Sequence, residues 1–158
     1  PANGLIQGMR PLISYNYGAR HFDRVKKIIK VSIISTAVIL CCGTIIFMGL
    51  PELVLSWFNA TEQLLEIGII GLRVISPCFI LSTMGVVISG VFESLGKGRQ
   101  SLTISLLRQF IITLPLAYIL LKVIGLNGIW LSFVIAEGIA SVIAVILIKK
   151  ELHNFKVD

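Results

Sequence analysis

The feature that most constrains this sequence is the distribution of its apolar residues, which fall into long blocks separated by short polar segments. Each block is about 20 residues long, the length that an α-helix needs to cross a hydrocarbon core about 30 Å thick. Charged residues make up 14% of the chain, whereas a soluble domain carries about 25%. No heptad repeat or strand-like alternation competes with this pattern. The sequence therefore predicts an all-α bundle of transmembrane helices in a lipid bilayer.

Five helices are predicted, of which the first is the lower part of a membrane helix. Pro51 ends the second block, and Thr61 is a predicted N-cap of the third. The chain starts at Pro1 without an initiator Met or the pattern of a signal peptide, which predicts a piece of a longer protein. The predicted helices cover residues 1–18, 28–50, 62–94, 101–122 and 127–149.

Lysine and arginine cluster at alternate ends of these blocks. Segments 19–30, 96–100 and 149–156 are basic, whereas segment 50–66 has no Lys or Arg and segment 122–127 has one Lys. By the positive-inside rule, the basic segments are predicted to be cytoplasmic in a plasma or inner membrane. This topology explains the net charge of +6. Because the basic residues do not form a single patch, nucleic-acid binding is not predicted.

The sequence offers no motif for catalysis or metal binding. Cys41, Cys42 and Cys78 lie inside apolar blocks without metal-ligand spacing, and His21 and His153 lie in basic segments. The cysteines are predicted to be small buried apolar side chains. No nucleophile–base pair, phosphate-binding loop or metal motif is recognisable. Neither an enzyme nor a metal or other cofactor is therefore predicted.

Two ionisable residues are predicted to lie deep in the membrane. Glu137 is 10 residues from the start and 12 from the end of the predicted helix 127–149, and Arg108 lies about two turns into the preceding helix. Ionisable residues in membrane helices mark ion pathways, ion pairs or proton relays. Glu137 is thus predicted either to couple transport to a proton or to form a structural ion pair with Arg108.

Five further ionisable residues lie closer to the helix ends or just beyond them. Arg10 is predicted either to serve a function or to anchor its helix by reaching the membrane surface. Arg73 follows Glu66 by seven residues, so the two share a helix face, and Arg73 is predicted to pair there or to line a substrate cavity. Glu93 and Lys97 have the i, i+4 spacing of a surface ion pair.

A polar stripe and a stripe of small residues follow the first predicted helix. Asn3, Gln7 and Ser14 share one face of it. Such a stripe either joins helices by hydrogen bonds or lines an aqueous cavity, and the sequence leaves both possibilities open. Gly4 and Gly8 form a small-xxx-small face suited to close helix packing.

Three stretches of the sequence resemble the MATE (multidrug and toxic compound extrusion) transporters. They are GLIQGMRPLISYNYGAR at 4–20, ESLGKGRQSLTISLLRQ at 93–109 and LPLAYILLKVIGLNGIWLSFVIAE at 114–137. The order and spacing of the three stretches are more specific to this family than any single stretch. The resemblance implies structural roles for Gly4, Gly8, Pro11, Gly18, Pro115 and Gly128.

The resemblance implies a fold of twelve helices in two six-helix lobes, in which residues 1–158 form part of the C-terminal lobe, from a partial helix eight to helix twelve. It also implies export of small organic cations in exchange for Na⁺ or H⁺, with the N-terminal lobe of the same chain as partner. The acidic coupling residues of the family lie mostly in helices one and seven, which are absent here. Some branches have an Asp in helix ten, but the matching stretch VISPCFILSTMGVVISG at 74–90 has no acidic residue. The coupling ion is therefore not predicted.

Two other functions compete with cation-coupled export. A lipid-linked glycan flippase of the same superfamily would need a cationic cavity, for which Arg10, Arg73 and Arg108 are candidates. A membrane enzyme would need clustered ligands or acid–base pairs at a membrane face, and the sequence has none. The motif at 4–20 favours the exporter.

Overall fold

The computed structural model describes residues 2–58 and 61–155, and in this part of the chain the regular structure is entirely helical. The predicted all-α fold is confirmed. The helices are α1 (Ala2–Gly18), α2 (Phe22–Gly49), α3 (Pro51–Ser56), α4 (Glu62–Ser94), α5 (Gly98–Leu106), α6 (Thr113–Ile124) and α7 (Leu126–Asn154), and a π-helical segment (Leu107–Ile111) joins α5 to α6.

Four helical stretches are long and apolar enough to cross a membrane: Phe22–Gly49, Leu64–Ser94, Gly98–Ile124 and Leu126–His153. Their mean hydropathy lies between 1.8 and 2.5. The outer surface of the bundle carries many exposed large apolar side chains, among them Ile45, Val123 and Ile146. A surface of this kind suits lipid as the solvent. The chain is therefore a multi-pass membrane protein.

Helix α4 lies at the centre of the bundle, in contact with α1, α2, α3, α5 and α7. The C-terminal third of α4, residues 84–94, is its most buried part, and Val87, Val91 and Phe92 are almost fully buried there. They belong to a hydrophobic core to which α1, α2, α5 and α7 also contribute.

The three basic segments meet at one end of the bundle. The rings of Phe22 and Phe155 stack there with centroids 5.0 Å apart, and Nζ of Lys97 lies 2.6 Å from Oε1 of Glu151. We call residues 2–35, 86–106 and 142–155 the basic half. The described residues of 36–85 and 107–141 form the far half. Every buried residue of this hydrophobic core lies in the basic half, whereas the buried apolar residues of the far half include Val54, Cys78, Ala136 and Ala140.

Helix boundaries depart from the prediction in several helices, and α7 continues to Asn154, beyond the predicted end at residue 149. Helix α2 begins at Phe22, not at residue 28, because Val25 and Ile29 give the basic segment a buried apolar face. The short helix α3 was not predicted. The predicted cap of α4 is confirmed, since Oγ1 of Thr61 accepts a hydrogen bond of 3.4 Å from N of Leu64.

Candidate functional site

An ion pair lies deep within the membrane-spanning segments, where Arg108 of the π-helical segment meets Glu137 of α7. Nε of Arg108 is 3.5 Å from Oε1 of Glu137, and each side chain is 19% exposed. The arginine crosses Gly85 of α4, where an added Cβ would lie 3.8 Å from Cδ of Arg108. Oε2 of Glu137 is buried and has no hydrogen-bond partner within the described residues. Three elements thus meet at a carboxylate with one oxygen available to a further ligand.

The π-helical segment positions Arg108 in this pair. N of Ile112 donates to the carbonyl of Leu107 over 3.1 Å, which is the five-residue step of a π-helix. Pro115 has no N–H, and its ring crowds the carbonyl four residues back, that of Ile111. Because N of Ile112 donates to Leu107, it does not donate to the carbonyl of Arg108, and the hydroxyl of Thr113 donates to that carbonyl instead. The continuous helix predicted over 101–122 is therefore interrupted, and Pro115 was the signal available in the sequence.

The predicted surface pair between Glu93 and Lys97 is wrong. Oε2 of Glu93 contacts Arg10 of α1, and Oε1 of Glu93 accepts a hydrogen bond of 2.8 Å from Ser101 of α5. Lys97 instead contacts Glu151 of α7. Arg10 is thus part of an ion pair that joins two helices.

The end of α4 explains this exchange of partners. Helix α4 ends at Ser94, and Gly96 adopts a φ of +72°. N of Lys97 donates to the carbonyl of Phe92 over 2.8 Å, and N of Gly96 donates to the carbonyl of Glu93 over 3.1 Å. These bonds are those of a Schellman motif, in which the chain leaves the helix. Lys97 therefore does not share a helix face with Glu93.

A chain of hydroxyl groups extends from Glu93 between α4 and α5, within the basic half. Oγ of Ser89 lies 2.7 Å from Oγ of Ser101 and 3.3 Å from Oγ of Ser105. Ser89 and Ser101 are buried. Sequence reasoning missed these serines, because only the rotation of α4 against α5 brings them together.

The polar stripe of α1 divides into two parts. Oγ of Ser14 donates a hydrogen bond of 2.8 Å to the carbonyl of Ser94 in α4. Asn3 and Gln7 are exposed. Gly4 and Gly8 are exposed as well, with no atom within 4 Å of an added Cβ, so in the described part of the chain they do not make the predicted close packing.

The close approaches of the bundle occur at other glycines. An added Cβ on Gly90 would lie 2.7 Å from Cγ2 of Ile6, which packs α1 against α4. An added Cβ on Gly128, in the first turn of α7, would overlap the carbonyl of Leu120 in α6. Gly125, between these two helices, has a φ of +67°, which favours glycine.

The other predicted positions lie apart from the deep ion pair. Arg73 is exposed and lines a cavity of about 480 Å³ with Glu52 of α3, and it makes no salt bridge with Glu66 within the described residues. Pro11 and Gly18 lie on exposed positions of α1. Of the cysteines, Cys78 is buried but Cys42 is exposed, which corrects the prediction that all three are buried.

Residues 1–119 match the MatE family. The chain is 30% identical over 156 residues to the multidrug export protein MepA of Staphylococcus haemolyticus (strain JCSC1435), an alignment that covers 98% of this chain and 34% of MepA. The chain therefore spans about a third of the length of the curated relatives that it matches.

Two solved structures have the same fold. A multidrug resistance MATE family transporter of the MOP superfamily, in its outward-facing conformation, superposes with a TM-score of 0.94 at 20% identity, over 100% of this chain and 36% of that one. The MATE multidrug transporter DinF-BH gives a TM-score of 0.89 at 29% identity, over 100% of this chain and 35% of its own. The bundle thus corresponds to the C-terminal lobe of such transporters. Because the family match covers more than half of the sequence, the chain belongs to the MatE family.

Proposed function

We propose that this chain is part of a secondary active transporter that exports organic cations, including drugs, in exchange for Na⁺ or H⁺. The MatE match and the similarity to proteins named as multidrug exporters support the exporter part of this proposal. Exchange needs an ionisable group that the coupling ion can reach within the membrane.

The observation that carries the coupling part is the geometry of Glu137. Its contact with Arg108 is 3.5 Å long, beyond the usual distance of a strong charge-assisted hydrogen bond, about 2.7–2.9 Å. Its second oxygen has no partner among the described residues. A proton or Na⁺ on this carboxylate would remove its attraction for Arg108.

The π-helical segment gives that exchange a structural consequence. When Glu137 is neutralised, Arg108 loses its counter-charge and must find another partner, because an unpaired charge in the membrane is costly. Arg108 lies in a segment whose backbone already departs from α-helical hydrogen bonding. The coupling ion would thereby favour one packing of the π-helical segment over another, as alternating access requires.

The substrate path is proposed to run along the exposed polar residues of α1. Asn3 and Gln7 offer amide groups on a helix face that no described helix covers. Arg73 and Glu52 line a cavity at the far end of the bundle. Alternating access needs two lobes that move around a central site, so the N-terminal lobe of the same protein is the proposed partner.

The basic half is proposed to face the cytoplasm. Its three basic segments lie together at one end, which is the distribution that the positive-inside rule predicts. In the full transporter freed of its own cysteines, Glu52→Cys should react with an impermeant thiol reagent from outside the cell, and Lys97→Cys should not. Reaction of both from the same side contradicts the topology.

Transport by the full protein tests the proposed function. The purified transporter is reconstituted into liposomes that contain a fluorescent organic cation, and an inward gradient of either Na⁺ or H⁺ is imposed. We expect one of the two gradients to drive release of the dye, and ionophores that collapse it to stop the release. No release under either gradient contradicts the proposal.

A flippase for lipid-linked glycans is the competing function. Its anionic cargo would need uncompensated cations in the cavity. Arg10 contacts Glu93 and Arg108 contacts Glu137, so of the three candidate arginines only Arg73 has no salt bridge within the described residues. These acidic partners favour the exporter. Transfer of a fluorescent lipid pyrophosphate between leaflets by the same liposomes, without dye release, would support the flippase instead.

A further inference from the structure

An open groove runs between α1 and α2 in the basic half. Its volume is about 720 Å³. The α1 wall is formed at helical spacing by Leu5, Gly8, Met9, Leu12 and Asn16. The groove opens to the outer surface of the bundle, because Leu12 is 55% exposed and Val31 on the α2 wall is 54% exposed. An apolar groove is therefore present on the outer surface of the described bundle.

The length of the groove matches one leaflet of a bilayer. The α1 wall extends from Leu5 to Asn16 and the α2 wall from Arg24 to Ser35, which is about 17 Å on each helix at 1.5 Å per residue. One leaflet contributes about half of a hydrocarbon core about 30 Å thick. A single acyl chain would thus extend along the whole groove, from the end at Asn16 and Arg24 to the end at Leu5 and Ser35.

The surface end of the groove is positively charged. Arg24 and Lys27 line it, and none of its lining residues is acidic. Neither residue is part of a salt bridge within the described residues, since the nearby Asp23 contacts Lys26 at 3.6 Å. Basic pockets between membrane helices bind the headgroups of anionic lipids.

We propose that this groove binds an anionic phospholipid. The phosphate lies against Arg24 and Lys27, and one acyl chain lies along Gly8 and Leu12. The charge at one end, the apolar walls and the length of one leaflet all fit this occupant. The site is separate from the Arg108–Glu137 pair, so its test does not depend on transport.

Lipid binding to the full transporter tests the headgroup contacts. The purified protein is titrated with phosphatidylglycerol and analysed by native mass spectrometry, with phosphatidylcholine as the neutral reference. We expect the variant carrying both Arg24→Gln and Lys27→Gln to bind phosphatidylglycerol about 25-fold more weakly, about fivefold for each cation. Lys30→Gln is the matched control, because Lys30 belongs to the same basic segment but does not line the groove.

A second pair of variants tests the acyl chain. Gly8→Leu fills the groove without meeting an atom within 4 Å of its Cβ, and Gly43→Leu makes the same change on α2 outside it. Gly8→Leu should weaken binding of phosphatidylglycerol at least about tenfold, which is 1.4 kcal/mol, and Gly43→Leu should not.

Three results overturn the proposal. A loss of about fivefold in Lys30→Gln, equal to that expected for each groove cation, means a diffuse attraction to anionic lipid only. Unchanged binding in Gly8→Leu means that no acyl chain occupies the groove. Loss of folding in Gly8→Leu, with normal folding of Gly43→Leu, means that another part of the protein fills the groove.

Discussion

Glu93 in the basic half and Glu137 in the far half are both acidic residues in contact with an arginine, but their surroundings differ. Glu93 is 40% exposed, and each of its oxygens has a partner, Arg10 or Ser101. Glu137 is 19% exposed, and one of its oxygens has no partner in the described part of the chain. A carboxylate whose oxygens are both bound holds helices together, whereas one with a free oxygen can take up an ion.

The basic half, which contains Glu93, and the far half, which contains Glu137, also differ in their packing. The basic half contains the hydrophobic core and a chain of serine hydroxyls. The far half contains the π-helical segment. Packed cores resist continuous deformation, whereas a segment with altered hydrogen bonding can change at smaller cost. The basic half is therefore expected to be a frame, and the far half the part that responds to the coupling ion.

The largest effect is expected from Glu137→Gln in the full transporter. The amide keeps the shape of the side chain but cannot take up a proton or balance Arg108. Gradient-driven export should fall to background. An ion that binds two conformations with equal affinity does not shift the equilibrium between them. Binding of the substrate, measured by fluorescence quenching, should persist. Glu93→Gln is the matched control and should keep gradient-driven export.

A structural role for Glu137 would give a different result. Removal of one partner of a buried ion pair costs about 3–5 kcal/mol, so Glu137→Gln would then be produced in low yield. Arg108→Met in the same chain would restore the yield by removing the unpaired charge. Normal export together with normal yield for Glu137→Gln contradicts both roles.

The second largest effect is expected from Phe92→Ala in the basic half. Phe92 is 1% exposed, and truncation of a buried Phe costs about 3–5 kcal/mol. Phe79→Ala makes the same change in the far half, where the ring is only partly buried and lies 5.8 Å from that of Phe47. Its loss of stability, measured by unfolding in mixed micelles, should be smaller. Equal losses would remove the distinction between frame and responsive half.

A smaller effect is expected at the contact between Lys97 and Glu151, which joins the end of α4 to α7. Its distance is 2.6 Å, and the glutamate side chain is 10% exposed. A double-mutant cycle with Lys97→Met and Glu151→Gln should give a coupling energy of about 1–2 kcal/mol, between the values for exposed and buried pairs. No coupling would mean that the basic half is held by apolar packing alone.

The sequence predicts features that depend on neighbouring residues and misses those that depend on helix rotation. Block length predicts the membrane helices, because each helix satisfies its own backbone within about 20 residues. The N-cap Thr61 was predictable for the same local reason. The partner of Lys97 was not, since Glu151 lies 54 residues away on another helix.

The candidate site shows the same limit. Depth in the membrane identified Glu137 and Arg108 as possible partners, because an ionisable residue there needs one. The absence of a partner for Oε2 of Glu137 among the described residues could not be predicted, because it depends on the orientation of Arg108 in the π-helical segment. The pairing of Arg10 with Glu93 depends on the register of α1 against α4.

The smallest effects are expected along α1, where the polar stripe tests whether the frame and the proposed substrate path share a helix. Ser14→Ala removes a hydrogen bond of 2.8 Å to the carbonyl of Ser94, and such bonds between membrane helices contribute about 0.6 kcal/mol on average. It should lower stability slightly and leave the range of exported cations unchanged. Asn3→Ala and Gln7→Ala remove exposed amides, so they should leave protein abundance intact but change relative resistance to different cationic drugs. If all three variants lower abundance and none changes the resistance profile, the whole stripe belongs to the frame and the substrate path lies elsewhere.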